Sequence, residues 1–297
     1  MKRTLICMLL TLSLLAPCLA GGEILTLPLD FEAGPKPQGD YPAKYRSPAW
    51  DHYEDPSITA DYEVRITPEW HTNFFTARIK IANGSQIRTA AANSFEKKGV
   101  APTQTIARRM NAVVAINGDF YTGNAGRYVL RQGRVYRDSM AANQDLLLID
   151  EDGDFHIILA EEHPETMDKT TVGGKRVNNA LCFGPALIRD GEIVVDPTKA
   201  QDQSHPIARE IRLALCQMGP LEYLVVINAN ESLTLVEFAN YLHSTYEGIQ
   251  QAYNLDGGMS AHLIFMGELR NKGAMIDNRD YRPVPDIVYF ATAYQPD

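Results

Sequence analysis

The sequence predicts an α+β fold: a single domain on a mixed or largely antiparallel β-sheet core with a few helices. Three observations predict it. Short alternating or apolar runs of strand length recur from Tyr62 to the C-terminus, glycine-containing turns join several of them directly, and few stretches carry helical periodicity. The regular strand and helix alternation of a parallel α/β sheet is missing. With 297 residues, 45% of them hydrophobic and 22% charged, the chain can bury a large core and is not disordered by composition.

At the N-terminus Lys2 and Arg3 precede an apolar run from Leu5 to Leu15 that stops at Ala16-Pro17-Cys18-Leu19-Ala20. This is the pattern of a secretory signal peptide over 1–20, cut after Ala20. Acylation at Cys18 is the alternative, and Pro17 directly before it fits such a site poorly. The run falls short of the ~20 residues of a spanning helix, and no second candidate span follows. Residues 21–60, rich in Pro, Asp and Tyr with little periodicity, read as a linker or surface strap ahead of a domain at 61–297.

From Tyr62 the pattern turns regular. "DYEVRIT" and "FFTARIKIA" alternate as half-buried strands do, and "TQTIARRMNA" spaces Ile106 and Met110 for a short helix. "AVVAIN" is a buried strand that ends in Gly118-Asp119. Hairpins turn at Gln132-Gly133, Asp152-Gly153 and Asp190-Gly191. In "DEDGD" the aspartates and the glycine do not together match the EF-hand spacing, so it reads as a plain turn. "RLALCQ" and "EYLVVIN" flank Met218-Gly219-Pro220; Thr234 and Glu237 make a capping box before a helix that Gly248 closes. "IQQAYNL", "AHLIFMG" and "DIVYFATAY" complete the strands.

Charge and cysteine narrow the function. Loss of the leader, with its two positive charges, takes the formal charge from −9 to −11, which disfavours nucleic acid as a partner. Cys182 and Cys216 remain; they are either a pair in an oxidising compartment or two buried thiols within strands. Zinc spacing, a phosphate-binding P-loop, a dinucleotide fingerprint and a Gly-x-Ser-x-Gly elbow are all missing from the sequence. Ser260 and His262 could face one way on an extended segment, but no orienting acid is specified for a serine triad.

Three strand ends carry polar residues beside glycine: Asn117-Gly118-Asp119, Phe183-Gly184-Pro185 and Asn254-Leu255-Asp256-Gly257-Gly258. Each alone is an ordinary turn. Asp119 and Asp256, however, follow buried strands, where a carboxylate is partly desolvated. Among the basic residues, Arg212 opens an apolar strand and Arg282 precedes "PVPDIVYF", whereas Arg209, Arg270 and Arg279 read as solvated surface.

The order "AINGDFY", "YVLRQGRVY", "CFGPALIRDGEI", "RLALCQMGPLEYLVVI", the Thr234 helix, "AYNLDGGMS" and "RPVPDIVYF" resembles the phosphodiester glycosidase family, from about Arg78 to Tyr289. The resemblance implies cleavage of the bond between a sugar anomeric carbon and a phosphodiester oxygen by an exported hydrolase of extracellular or cell-envelope glycans. It places the family's site on Asn117, Gly118, Asp119, Gly184, Pro185, Arg212, Asn254, Gly257, Gly258, Ser260 and Arg282, with Asp256 between Asn254 and Gly257. Departures fall at Leu213, Leu215, Cys216, Met259, Ala261 and His262, which crowd the loop and remove donors.

The chemistry suits these residue types. A phosphate departs already stabilised as an anion, so the site needs less proton donation than an ordinary glycosidase and more positive charge at the leaving group. Arg212 and Arg282 are expected to hold phosphate and Asp256 or Asp119 to activate water or stabilise the carbon. Asn117 and Asn254 are expected to place sugar hydroxyls, beside Gly118, Gly184, Gly257, Gly258 and Ser260. The expected partner is a phosphorylated glycan or sugar-1-phosphodiester, and no cofactor is required. Two rivals stand beside this: a non-catalytic glycan-binding protein on the same fold, and a phosphodiesterase attacking phosphorus with a divalent ion between Asp119 and Asp256.

Overall fold

The computed structural model describes residues 21–37, 49–123, 126–139, 143–162, 167–198, 205–272 and 281–297. The expected leader and Arg279 lie outside them. Every strand pairing among the described residues is antiparallel. With two α-helices, α1 at Thr103–Arg109 and α2 at Leu235–Thr245, this is the α+β class the sequence predicts.

An eight-stranded sheet runs in the order Glu192–Ile193, Ala186–Arg189, Gln251–Leu255, Leu213–Gly219, Glu222–Asn228, Thr72–Ile81, Ile58–Thr67 and His52–Asp55. A five-stranded sheet orders Glu268–Leu269, Leu263–Phe265, Ala112–Asn117, Asp286–Ala291 and Ile87–Ala91. The hairpin strands Val129–Arg131, Arg134–Arg137, Leu146–Asp150 and Phe155–Ile158 assemble around Lys175–Leu181 as a third sheet.

Alternation along the central strands explains the layering. Leu213, Leu215, Val225 and Ile227 face a core shared with Val114, Ile116, Val288 and Phe290 of the five-stranded sheet. Their neighbours Ala214, Cys216, Leu224 and Val226 face the other way, onto Leu235, Phe238 and Leu242 of α2. Strands covered on both faces read as continuous apolar runs, which is why "LVVI" and "AVVAI" show no alternation. Helix α1 covers the far side of the five-stranded sheet with Ile106, Ala107 and Met110.

The capping box of α2 is present: Glu237 N–H donates to Thr234 Oγ1 at 3.2 Å, and Thr234 N–H to Glu237 Oε2 at 2.9 Å. The helix stops at Thr245, and Gly248, with φ +89°, turns the chain into the next strand. Phe74 stacks on Tyr241 across the helix and sheet interface.

Strands extend further upstream than periodicity indicates. The strand expected at "DYEVRIT" begins at Ile58, and His52–Asp55 pairs with it. Gly22–Ile24 pairs with Tyr294–Pro296. "HYED" and "GEI" are too short and polar for alternation to register; the first pairs across a tight turn with the strand that follows it, the second with the distant C-terminal strand. Cys182 and Cys216 are separate thiols buried in different clusters; burial pushes Cys182 up to about 12 and raises Cys216 as well. The "DEDGD" segment is a hairpin turn, with the Lys175 ammonium 2.9 Å from Asp152 and 3.3 Å from Asp154.

Candidate active site

Strand register assembles the site. Leu213 pairs with both Leu255 and Ile227, so Arg212 and Asp256 emerge side by side where three strands end. Ala186 pairs with Tyr253, which sets Gly184-Pro185 beside Asn254. Leu263 pairs with Ile116 and Ile287 with Asn117, bringing the Asn117 corner alongside the Asp256 loop. A cavity of ≈ 210 Å³ opens at this junction, lined among others by Phe183, Glu210, Arg212, Asn254, Asp256 and Arg282.

The loop after Leu255 is locked from below. Gly258 N–H donates to the Ile211 carbonyl at 2.8 Å, and a side chain on Gly257 would place its Cβ 2.3 Å from that same oxygen. Only glycine allows this approach. A 3-10 turn follows at Gly258–Ser260, and Arg282 N–H donates to the Met259 carbonyl at 2.9 Å. Burial raises the Asp256 carboxyl above the usual carboxylate range, opposed by the Ser260 hydroxyl and the charges of Arg282 and Arg127.

The two arginines differ. Arg212 is only 4% exposed, and its guanidinium donates to the carbonyls of Leu233, His205 and Ala208 at 3.3, 2.8 and 2.6 Å. Burial lowers its affinity for the proton to about 10, with the Glu210 charge opposing. Arg282 is exposed and lines the cavity.

Asn117 lies behind the cavity wall. Its Nδ2 donates to the Asp256 carbonyl at 2.7 Å, and its Oδ1 accepts from His262 N–H at 3.0 Å. Asp119 is fully buried: Oδ1 accepts from Arg131 at 2.7 Å and Oδ2 from Cys182 N–H at 2.8 Å. Arg131 also lies 3.5 Å from Asp286, a second buried carboxyl. Burial, and then the charge of Asp119, push Asp286 up to about 8. Gly118 sits against it so closely that a Cβ would fall 2.2 Å from Asp286 Oδ2. Asn254 Nδ2 donates to the Gly184 carbonyl at 2.7 Å, while its Oδ1 is buried without a partner.

The structure therefore gathers Arg212, Asn254, Asp256, Gly257, Gly258 and Arg282 at the cavity, with Ser260 beside Asp256. It sets Asn117, Gly118, Asp119 and Gly184 in the supporting layer. Asp119 and Asp256 do not share the cavity, and among the described residues no cluster of three or more His, Cys, Asp or Glu could hold a metal. Glu210 at the cavity, and Arg127, Arg131 and Asp286 behind it, are not singled out by sequence reasoning, and Phe183 enters it only as the neighbour of Gly184. For Asp286 a signal existed: a carboxylate opening the apolar run "DIVYFA" requires a buried partner.

Fold and site define a class: an antiparallel α+β protein whose strand ends carry a desolvated carboxylate on a double-glycine loop beside arginine. The chain belongs to the phosphodiester glycosidase family, whose profile matches residues 110–291. No curated protein matches it by sequence. Among solved structures it is similar to the zebrafish N-acetylglucosamine-1-phosphodiester alpha-N-acetylglucosaminidase catalytic domain auto-inhibited by pro-peptide. That match has 16% identity and a TM-score of 0.60, covering 91% of this chain and 98% of that one. A Synechocystis protein matches at 19% identity and TM-score 0.49, over 78% and 62% of the two chains. A Burkholderia pseudomallei K96243 protein matches at 12% and 0.50, over 74% of each. These likenesses are of fold.

Proposed function

We propose that the chain is an exported hydrolase that cleaves the glycosidic bond of a sugar-1-phosphodiester, releasing sugar and a phosphomonoester. The observation that carries this reading is the convergence of Asp256, Arg212 and Arg282 on one cavity. Water attacks the anomeric carbon, its proton passes to the Asp256 carboxylate, and the bond from carbon to phosphate oxygen breaks with its electron pair leaving on phosphate. A base whose proton affinity is raised by burial suits that transfer. Arg282 binds the departing phosphate, and Arg212 adds its field while it pins the His205 to Ile211 segment. Asn117 and Asp119 hold the corner that steadies the Asp256 loop. Export rests on the leader pattern at 1–20, and no helix among the described residues is long and apolar enough to cross a membrane.

Hydrolysis of a glucose-1-phosphodiester in 18O-labelled water tests the reading. Label in the sugar is expected. Label in the phosphate would select attack at phosphorus, and binding without turnover would select a glycan-binding protein.

A further inference from the structure

Glu210 lines the same cavity as Asp256. Its main chain is clamped on both sides: N–H donates to the Leu233 carbonyl at 3.1 Å, and its own carbonyl accepts from Asn228 Nδ2 at 3.0 Å. The carboxylate makes no hydrogen bond or ion pair with the described residues, and its charge acts on Arg212. A carboxylate on a fixed backbone, left unbonded in a cavity, is placed for a ligand.

Asn254 supplies a second acceptor. Donation from Nδ2 to Gly184 fixes the orientation of the amide, so the atom left over is Oδ1, buried and unpartnered. A buried acceptor without a donor is costly until a ligand provides one. Among the neighbouring polar side chains, Asn117 is engaged at both ends and Arg212 on three carbonyls, and Arg282 is assigned to the phosphate. Glu210 and Asn254 Oδ1 are both acceptors, and sugar hydroxyls are donors.

We infer that Glu210 and Asn254 Oδ1 read the hydroxyl groups of the sugar, which makes Glu210 a specificity-determining residue that contacts substrate. The substrate class is a glycosyl phosphodiester whose sugar carries free hydroxyls on neighbouring carbons. This rests on the hydrolysis proposed for the same site.

The test compares wild type, Glu210→Gln and Glu210→Ala on the phenyl phosphodiester of glucose and its 2-, 3- and 4-deoxy analogues. Wild type is expected to lose about tenfold or more in kcat/KM on at least one deoxy analogue. In Glu210→Gln the parent substrate loses a similar factor, the penalty for that missing hydroxyl shrinks to about twofold, and the melting temperature holds. Unchanged deoxy penalties in both variants would overturn the inference. So would a lower melting temperature with unaltered kcat/KM, which marks Glu210 as a structural neighbour of Arg212. If wild type hydrolyses none of the four, the hydrolase reading fails by itself, and calorimetry with glucose 1-phosphate decides the recognition claim. Weaker binding to Glu210→Ala than to wild type supports it, and equal or absent binding to both refutes it.

Discussion

Asn117 Nδ2 donates to the main-chain oxygen of Asp256 over 2.7 Å, tying the end of a five-stranded-sheet strand to the loop that carries the acid. The same amide accepts from His262 N–H, so one side chain braces two segments. Replacing Asn117 with Ala leaves both main-chain groups without a partner. A loss of about 1–3 kcal/mol is expected from denaturant melts, together with lower kcat. Full stability in Asn117→Ala would show that the brace is dispensable.

Asp256→Asn keeps shape and removes the base. Turnover is expected to fall about 10²- to 10⁴-fold while the melting temperature stays constant or rises, because burial already disfavours the charge. In wild type the acid limb of kcat/KM should lie above the ordinary carboxylate range, since the base works only when deprotonated. A limb at or below that range would contradict the desolvated setting.

The arginines separate by what each loses. Arg282→Ala should leave stability within about 0.5 kcal/mol and cut kcat/KM roughly 10²-fold, because the side chain is exposed and lines the cavity where phosphate would bind. Arg212→Ala should cost about 3 kcal/mol, because three carbonyls lose their donor. Equal melting temperatures for the two variants would contradict this division.

The buried acid pair predicts a pH dependence of stability. Asp286 faces Asp119, Arg131 and Tyr121, and its folded value near 8 stands above an unfolded value of about 3.9. The native state thus binds the proton more tightly than the unfolded chain. The contribution of this group is whole below about pH 4 and is lost as pH rises through about 8. Asp286→Asn, which mimics the protonated form, should flatten that fall between pH 5 and 9 in thermal melts, at about the wild-type melting temperature of the acid end. An unaltered slope would mean that Asp286 is ionised throughout.

Phe238 is fully buried between α2 and the eight-stranded sheet, where Phe74 lies parallel to it. Phe238→Ala should cost about 3–5 kcal/mol by chemical denaturation. A loss under about 1 kcal/mol would show that the helix repacks.

Much of this was local in the sequence. The helices at Thr103 and Leu235, the Thr234 capping box, the turns at Gln132-Gly133, Asp152-Gly153 and Asp190-Gly191, and the buried strands around Val114 and Val225 each follow from neighbours a few residues apart. So does the double glycine beneath Asp256, although its reason, the Ile211 oxygen in the place of a Cβ, comes from a segment some 45 residues away in the chain. The strand at Ile87–Ala91 gave no periodic signal because it is buried along its whole length and its partner Asp286–Ala291 is far away, and His52–Asp55 gave none because it is short and polar.

What the sequence determined by itself is the α+β class, the order of the strands and turns, and the set of polar residues from which the site is drawn. Tertiary structure decided which of those residues meet. Asp119 and Asp256 look alike as carboxylates following apolar strands, yet Arg131 and the Cys182 amide enclose the first while the second opens on the cavity beside Arg282. Glu210, silent as a string of letters, arrives there as well. The physical reason is that pairing register and burial are set by segments distant along the chain, and a carboxylate's charge, partners and access are properties of that surrounding space.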